Sequence, residues 1–138
     1  MDGFDADVLV YAAMAGHPLG RRIRALFDDV PTDVVGVGSV LLIPELLSKP
    51  LRAESPSDVA ALASLLGRLD LRPVDHSTAE LAAALGASYR LRAADAVHLA
   101  TAVAAGADRF MTNNRKDFAQ SIAEIDITYP DDLPDVQT

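Results

Sequence analysis

The sequence predicts an α/β domain: a three-layer α/β/α sandwich around a central, mostly parallel sheet of four to five strands. Two observations carry this. Short apolar runs of strand-forming residues alternate with longer segments whose apolar residues recur at helical spacing, the pattern of β-α-β units with helices on both faces of a sheet. The chain also has 138 residues, 50% hydrophobic and only 5% aromatic, which fits one helix-rich domain with an Ala- and Leu-based core. No internal repeat or linker interrupts it. Residues 1–129 read as a single domain, and the acidic, proline-containing stretch 130–138 reads as a flexible tail.

In order, Val8–Val10 reads as the core of the first strand, with a short helix starting in Tyr11–Ala15 and stopping at Gly16-His17-Pro18. Leu19, Ile23, Leu26 and Phe27 follow helical spacing to Asp29, with Arg21, Arg22 and Arg24 as a solvated surface. Pro31-Thr32-Asp33 is turn material, and Val34–Val37 is a second strand. Ser39 is a candidate N-cap for a helix from Val40 to Ser48, with Pro44 expected to kink it or shift its start. Glu45 is the one acid in that helix; it sits either on an exposed face, which local sequence favours, or in a site. Ser55-Pro56-Ser57-Asp58 starts the next helix. Leu71–Val74 is a third strand, and Asp75–Thr78 caps a helix reaching Gly86, with His76 as a loop residue. Leu91–Ala102 is a helix rich in small residues. Asp95 lies in its first turn, where the helix dipole favours an anion, and His98 reads as a core or edge histidine. Arg109–Thr112 is a fourth strand, Asn113–Phe118 a polar loop at its carboxyl end, and Ile125–Tyr129 a last, half-exposed strand.

The charge balance narrows the function. Net charge is −8, from 20 Asp and Glu against 12 Lys and Arg, and the isoelectric point is near 4.6. That argues against a nucleic-acid coat protein, which would be basic. It leaves room for an enzyme acting on nucleic acid, because bound divalent ions reverse the field at a carboxylate cluster, and it suits a basic partner segment. There are no cysteines, which excludes disulfides and thiolate metal sites. No apolar run approaches the roughly 18–20 residues of a membrane span, and the amino terminus lacks the pattern of a signal peptide, so a cytoplasmic protein is expected.

Asp5 and Asp7 are costly in an otherwise apolar run. In a parallel α/β sheet, ligands bind beyond the carboxyl ends of the strands. Asp5 lies near the first strand and Asp117 in the loop after the fourth, while Glu45 and Asp95 come early on helices that can open onto the same edge. Four acids from distant segments can thus meet in one cleft. Hard oxygen donors suit Mg²⁺ or Mn²⁺, and three scattered His without Cys argue against zinc.

These stretches resemble a family. Phe4-Asp5-Ala6-Asp7-Val8-Leu9-Val10-Tyr11 resembles the opening motif of PIN domains. Ser39 with Glu45 is similar to the second motif, Ala94-Asp95-Ala96 with His98-Leu99-Ala100 to the third, and Thr112-Asn113-Asn114-Arg115-Lys116-Asp117-Phe118 to the fourth. Four motifs in order span nearly the whole chain, whose size resembles the VapC-type toxins of toxin–antitoxin pairs. The resemblance implies a Mg²⁺- or Mn²⁺-dependent endoribonuclease, inhibited by a cognate antitoxin and assembled as a homodimer. It implies metal-holding roles for Asp5, Asp95 and Asp117, with Glu45 completing a four-carboxylate site by orienting water or a second ion. Asp7, Ser39, Thr112 and Asn114 are placed behind these as supporting residues. Asp7 stands where an uncharged polar residue is commoner in the family, and Asn114 where many members have Asp. Arg92, Arg115 and Lys116 are the first candidates for RNA contact, followed by Arg90 and Arg52.

Two other readings stand beside this one. The opening motif also resembles that of haloacid-dehalogenase-type phosphatases, with Asp5 as nucleophile, but the late acidic pair those enzymes need falls only at Asp131-Asp132. A non-catalytic PIN-like binding module is the other.

Overall fold

Glycine at position 3 marks how tightly the layers close. A Cβ there would lie 2.6 Å from the Cβ of Ala102, so only glycine lets a helix seat this close to the central strand. The computed structural model describes residues 1–136. Among them five strands form one sheet in the order β3-β2-β1-β4-β5, every neighbouring pair parallel. The strands are β1 (Asp2–Phe4), β2 (Gly36–Ser39), β3 (Leu69–Arg72), β4 (Arg109–Met111) and β5 (Asp126–Thr128). The chain winds from β1 outward to β3, then returns to the other side of β1 for β4. The strand order therefore switches between β1 and β4, and in open α/β sheets ligands bind at the carboxyl edge of such a switch.

Side-chain alternation along the strands divides the core in two. Phe4 and Met111 point to one face and pack with α1 (Ala6–Ala13), α2 (Pro18–Asp28), α3 (Leu42–Arg52) and α4 (Pro56–Leu66). Phe110 and Ile127 point to the other and pack with α5 (His76–Tyr89) and α6 (Ala93–Ala104). The expected three layers and parallel sheet are thus present. No helix of the described residues is long and apolar enough to cross a membrane.

Several element boundaries differ from the sequence reading. Val8–Val10 is not strand; β1 is over by Phe4, and these residues belong to α1. A short apolar run is ambiguous between strand and helix, and burial decides: Val8, Leu9 and Ala12 are buried while Val10 is 40% exposed, a helical and not an alternating pattern. Ser39 is the last residue of β2 and not a helix N-cap. Its Oγ accepts a hydrogen bond from Leu41 N at 3.1 Å, shaping the turn before α3, which starts at Leu42. Pro44 is the third residue of α3, in the first turn, where a missing N–H has no helical partner to lose. β3 begins at Leu69, two residues before the expected Leu71. His76 opens α5 instead of lying in a loop, 2.8 Å from Glu80 one turn on.

The stretch expected to be a flexible tail begins with a packed segment. Pro130–Asp132 is a 3-10 turn, Leu133 is 5% exposed, and Arg22 Nη1 donates to the carbonyls of Asp131 (3.2 Å) and Leu133 (2.9 Å). Leu133 supplies the apolar anchor that the charged composition concealed. Gln137 and Thr138 lie outside the described residues.

A second close approach joins the first two helices: a Cβ on Gly20 would fall 1.9 Å from the carbonyl oxygen of Tyr11. Backbone cannot yield as a side-chain end can. Gly20→Ala is therefore expected to destabilise the fold by about 1–3 kcal/mol, an overpacking cost, read as a lower midpoint in thermal melts followed by circular dichroism.

Candidate active site

β1 ends one residue before Asp5, and the chain turns there into α1. Asp5 N donates to Met111 O at 2.9 Å, tying this turn to the end of β4. The Asp5 carboxylate is the helix N-cap: Oδ1 accepts from Ala6 N at 2.8 Å, and Oδ2 accepts from Thr112 Oγ1 at 2.8 Å. Thr112 is fully buried and Asp5 only 5% exposed. Burial pushes the Asp5 carboxyl above its ordinary range, the Thr112 hydroxyl pulls it back, and the charge of Glu45 adds a smaller upward push.

Asp7, two residues on, has both oxygens engaged by backbone. Oδ1 accepts from Val8 N at 2.7 Å, and Oδ2 accepts from Asn113 N at 3.0 Å. Its carboxyl is pushed up to about 6, first by burial and then by the charge of Asp5. Asp7 thus latches the loop after β4 onto the first turn of α1.

The other acids arrive from three directions. Asp95 sits in the first turn of α6, raised by burial and then by the charges of Asp5 and Asp117, with Glu45 adding to them. Glu45, in the first turn of α3, keeps its side chain 35% exposed, and its Oε1 lies 3.0 Å from His98 Nε2. Glu45 is exposed, as local sequence favoured, and its carboxylate nonetheless bonds to His98 beside the cluster. Asp117 is oriented by Asn114: the Asn114 side-chain amide donates to Asp117 Oδ2 at 3.0 Å, and Asp117 N donates to Asn114 Oδ1 at 3.3 Å. Asn114 N in turn donates to Thr112 Oγ1 at 3.1 Å. Asp5, Asp7, Glu45, Asp95 and Asp117 thus share one patch at the switch between β1 and β4, joined by their mutual electrostatic effects. Among the described residues no three Asp, Glu or His side chains already stand as a metal cage; the acids lie within charge–charge reach of one another and short of ligand geometry.

Of the supporting residues, Thr112 and Asn114 hydrogen-bond directly to acids of the cluster, while the Ser39 hydroxyl is taken by Leu41 N. Among the basic candidates, Arg92 and Lys116 are exposed. Arg115 is committed elsewhere: its Nη2 lies 2.6 Å from Asp131 Oδ2, and its guanidinium stacks 4.4 Å over the Tyr129 ring. His98 is the site residue whose part sequence reasoning missed. The available signal was its spacing, three residues after Asp95 and so on the same face of α6.

Comparison with known proteins matches residues 4–123 to the PIN domain family. The chain belongs to the PIN domain family. Nuclease activity is general in that family, and its nucleases typically use divalent metals. The match covers all four acids and displaces the haloacid-dehalogenase reading. Nothing among the curated proteins matches the chain. Solved structures of similar fold include a toxin–antitoxin complex from Klebsiella pneumoniae, with TM-score 0.71 and 23% identity over 92% of this chain and 95% of that one. VapBC2 from Rickettsia felis, bound to a DNA fragment from its promoter, gives TM-score 0.71 and 16% identity over 93% and 97%. FitAB bound to a DNA fragment gives TM-score 0.66 and 21% identity over 94% and 95%.

The raised carboxyls set a pH dependence. A group whose folded pKa exceeds its unfolded value binds more protons when folded, so its contribution to stability falls as pH rises through the window between the two. For Asp7 that window runs from 3.8 to about 6. In chelator-treated buffer, wild type is expected to lose stability relative to Asp7→Asn as pH climbs through this range. Melting midpoints measured for both proteins between acidic and neutral pH check the slope; equal slopes would remove Asp7 as a strained acid.

Proposed function

We propose that this PIN domain protein is a Mg²⁺- or Mn²⁺-dependent endoribonuclease acting in the cytoplasm as the toxin of a toxin–antitoxin pair. The observation that carries the reading is the convergence of Asp5, Glu45, Asp95 and Asp117, from four segments, on the sheet edge where strand order switches. Their oxygen-only donor set fits a hard divalent cation, and the upward push that Asp5 and Asp117 exert on Asp95 marks an excess of negative charge such a cation would relieve.

In this reading Asp5, Asp95 and Asp117 hold the ion. When bound, the ion supplies Lewis acidity toward the attacking water and the scissile phosphate. Thr112 fixes the Asp5 carboxylate so that its rotamer is set before substrate arrives. Asn114 does the same for Asp117. Glu45 uses Oε2, the oxygen not bonded to His98, to accept a hydrogen bond from the attacking water and orient it. Asp7, with its oxygens accepting from the amides of Val8 and Asn113, keeps the loop carrying Asn114 and Asp117 in place. Arg92 and Lys116 at the rim meet the RNA backbone.

An antitoxin partner and a homodimer complete the assembly. Support comes from the similar folds, which were solved as a toxin–antitoxin complex and as DNA-bound VapBC2 and FitAB. The net charge of −8 favours a basic antitoxin segment across the acidic edge.

Purified, partner-free protein is expected to cleave RNA with Mn²⁺ and to stop when the metal is chelated. Asp95→Asn should lower the rate by on the order of 100-fold or more, since even residues behind metal ligands cost 10–100-fold. Intact RNA at every Mn²⁺ concentration, with tight antitoxin binding retained, would identify a binding module instead. Independently, Mn²⁺ at about 100 times its dissociation constant should stabilise wild type by roughly 2.7 kcal/mol and leave Asp5→Asn nearly unchanged, as read by the thermal midpoint.

A further inference from the structure

His98 is buried in α6, at 2% exposure, on a helix whose other buried residues, among them Ala96, Leu99, Ala100 and Ala102, are mostly small and apolar. Its Nδ1 is buried and has no hydrogen-bond partner among the described residues. A buried polar atom without a partner is destabilising, whereas an apolar side chain of similar size would leave nothing unpaired. Packing alone therefore gives no reason for histidine here. The other ring nitrogen supplies one: Nε2 lies 3.0 Å from Glu45 Oε1.

The geometry of that bond is unusual in the fold. Glu45 is on α3, which packs on one face of the sheet, and His98 is on α6, which packs on the opposite face. Among the described residues theirs is the one side-chain hydrogen bond joining these two helices, and it passes over the carboxyl edge where the acids gather. Glu45 has a flexible side chain, partly exposed and close to other acids that repel it, so without a tether its carboxylate would turn to solvent. His98 cannot turn with it, because its ring is enclosed. Its position three residues after Asp95 places both on one face of α6, Asp95 at the surface and His98 beneath.

We propose that His98 is a positioning residue: a donor fixed in the core that aims the Glu45 carboxylate across the sheet edge into the acid cluster. The inference rests on the nuclease reading for its effect on rate, but the tether itself does not. His98 touches neither substrate nor metal in this scheme; it acts through Glu45.

The test has two arms on the full chain. In the first, the His98 ring Nε2–H is followed by proton–nitrogen NMR of histidine-labelled, metal-free protein. Wild type is expected to show a slowly exchanging signal that is lost or shifted in Glu45→Ala; an unchanged signal would overturn the tether. In the second, RNA cleavage with Mn²⁺ is measured for two variants. His98→Leu should keep its melting midpoint while kcat falls roughly 10–100-fold at unchanged KM. His98→Gln, whose amide nitrogen reaches to about the place of Nε2, should recover most of that loss. In a Glu45→Ala background His98→Leu should cost nothing further, since the two residues act as one unit. Losses that multiply independently, or no recovery by Gln, would overturn positioning in favour of a structural role. If wild type cuts no RNA while the NMR arm behaves as expected, the nuclease reading fails and the tether stands.

Discussion

Everything at the carboxyl edge of this sheet depends on how one buried carboxylate is held. Asp5 sits where the central strand ends, only 5% exposed, with one oxygen on the amide of its own helix and the other on the Thr112 hydroxyl at the end of the neighbouring strand. Hydrogen bonds to charged groups are worth about 1.5–3 kcal/mol each, and without these two the burial of Asp5 would be uncompensated. The Thr112 contact, with the bond from Asp5 N to Met111 O, locks the end of β1 to β4 at the point where the chain reverses its direction across the sheet. Structural registration and the placement of the acid are thus one arrangement.

From that anchor the loop after β4 is built outward in a chain of hydrogen bonds. Thr112 bonds to Asp5 and receives Asn114 N; Asn114 orients Asp117; Asp7 receives Asn113 N. The loop has no regular structure of its own; Asn113 N ties it to Asp7 of the first motif, and Asn114 N ties it to Thr112 at the end of β4. On the far side, Tyr129 OH donates to Phe118 O at 2.6 Å, and Arg115 stacks on the Tyr129 ring. The C-terminal segment therefore braces the loop from outside, and Pro130 and Leu133 are buried where the composition of the stretch suggested solvent.

The opposing constraint is electrostatic. Burial and mutual repulsion push Asp5, Asp7 and Asp95 upward together, so the fold maintains a patch that is unfavourable in isolation. Tight layers make this tolerable. Gly3 lets α6 approach β1 closely enough to bring Asp95 to the edge, and His98 on the same helix reaches Glu45 on α3. Conserving rigidity at the cost of local charge repulsion is the usual pattern at sites made to bind something charged.

Much of this was legible in the sequence, and the limits have physical causes. Alternating apolar runs specify a parallel α/β domain because only that arrangement buries each of them, and four acids spaced over the chain specify an oxygen-rich edge because strand ends bring them there. The resemblance of the Thr112–Phe118 stretch to a PIN motif drew Thr112 and Asn114 in as supporting residues, and their hydroxyl and amide do donate to Asp5 and Asp117, whereas the Ser39 hydroxyl, drawn in the same way, accepts from Leu41 N. The sequence could not separate strand from helix at Val8–Val10, because a three-residue apolar run satisfies both periods, and the burial of Val8, Leu9 and Ala12 that decides for helix exists only in the folded chain. Nor could it say where Glu45 points. Local spacing places a side chain on a helix face, but whether that face meets solvent or a buried donor depends on which helix crosses the sheet edge opposite. His98 supplies that donor, and only the packing of α6 against the central strand brings it within reach.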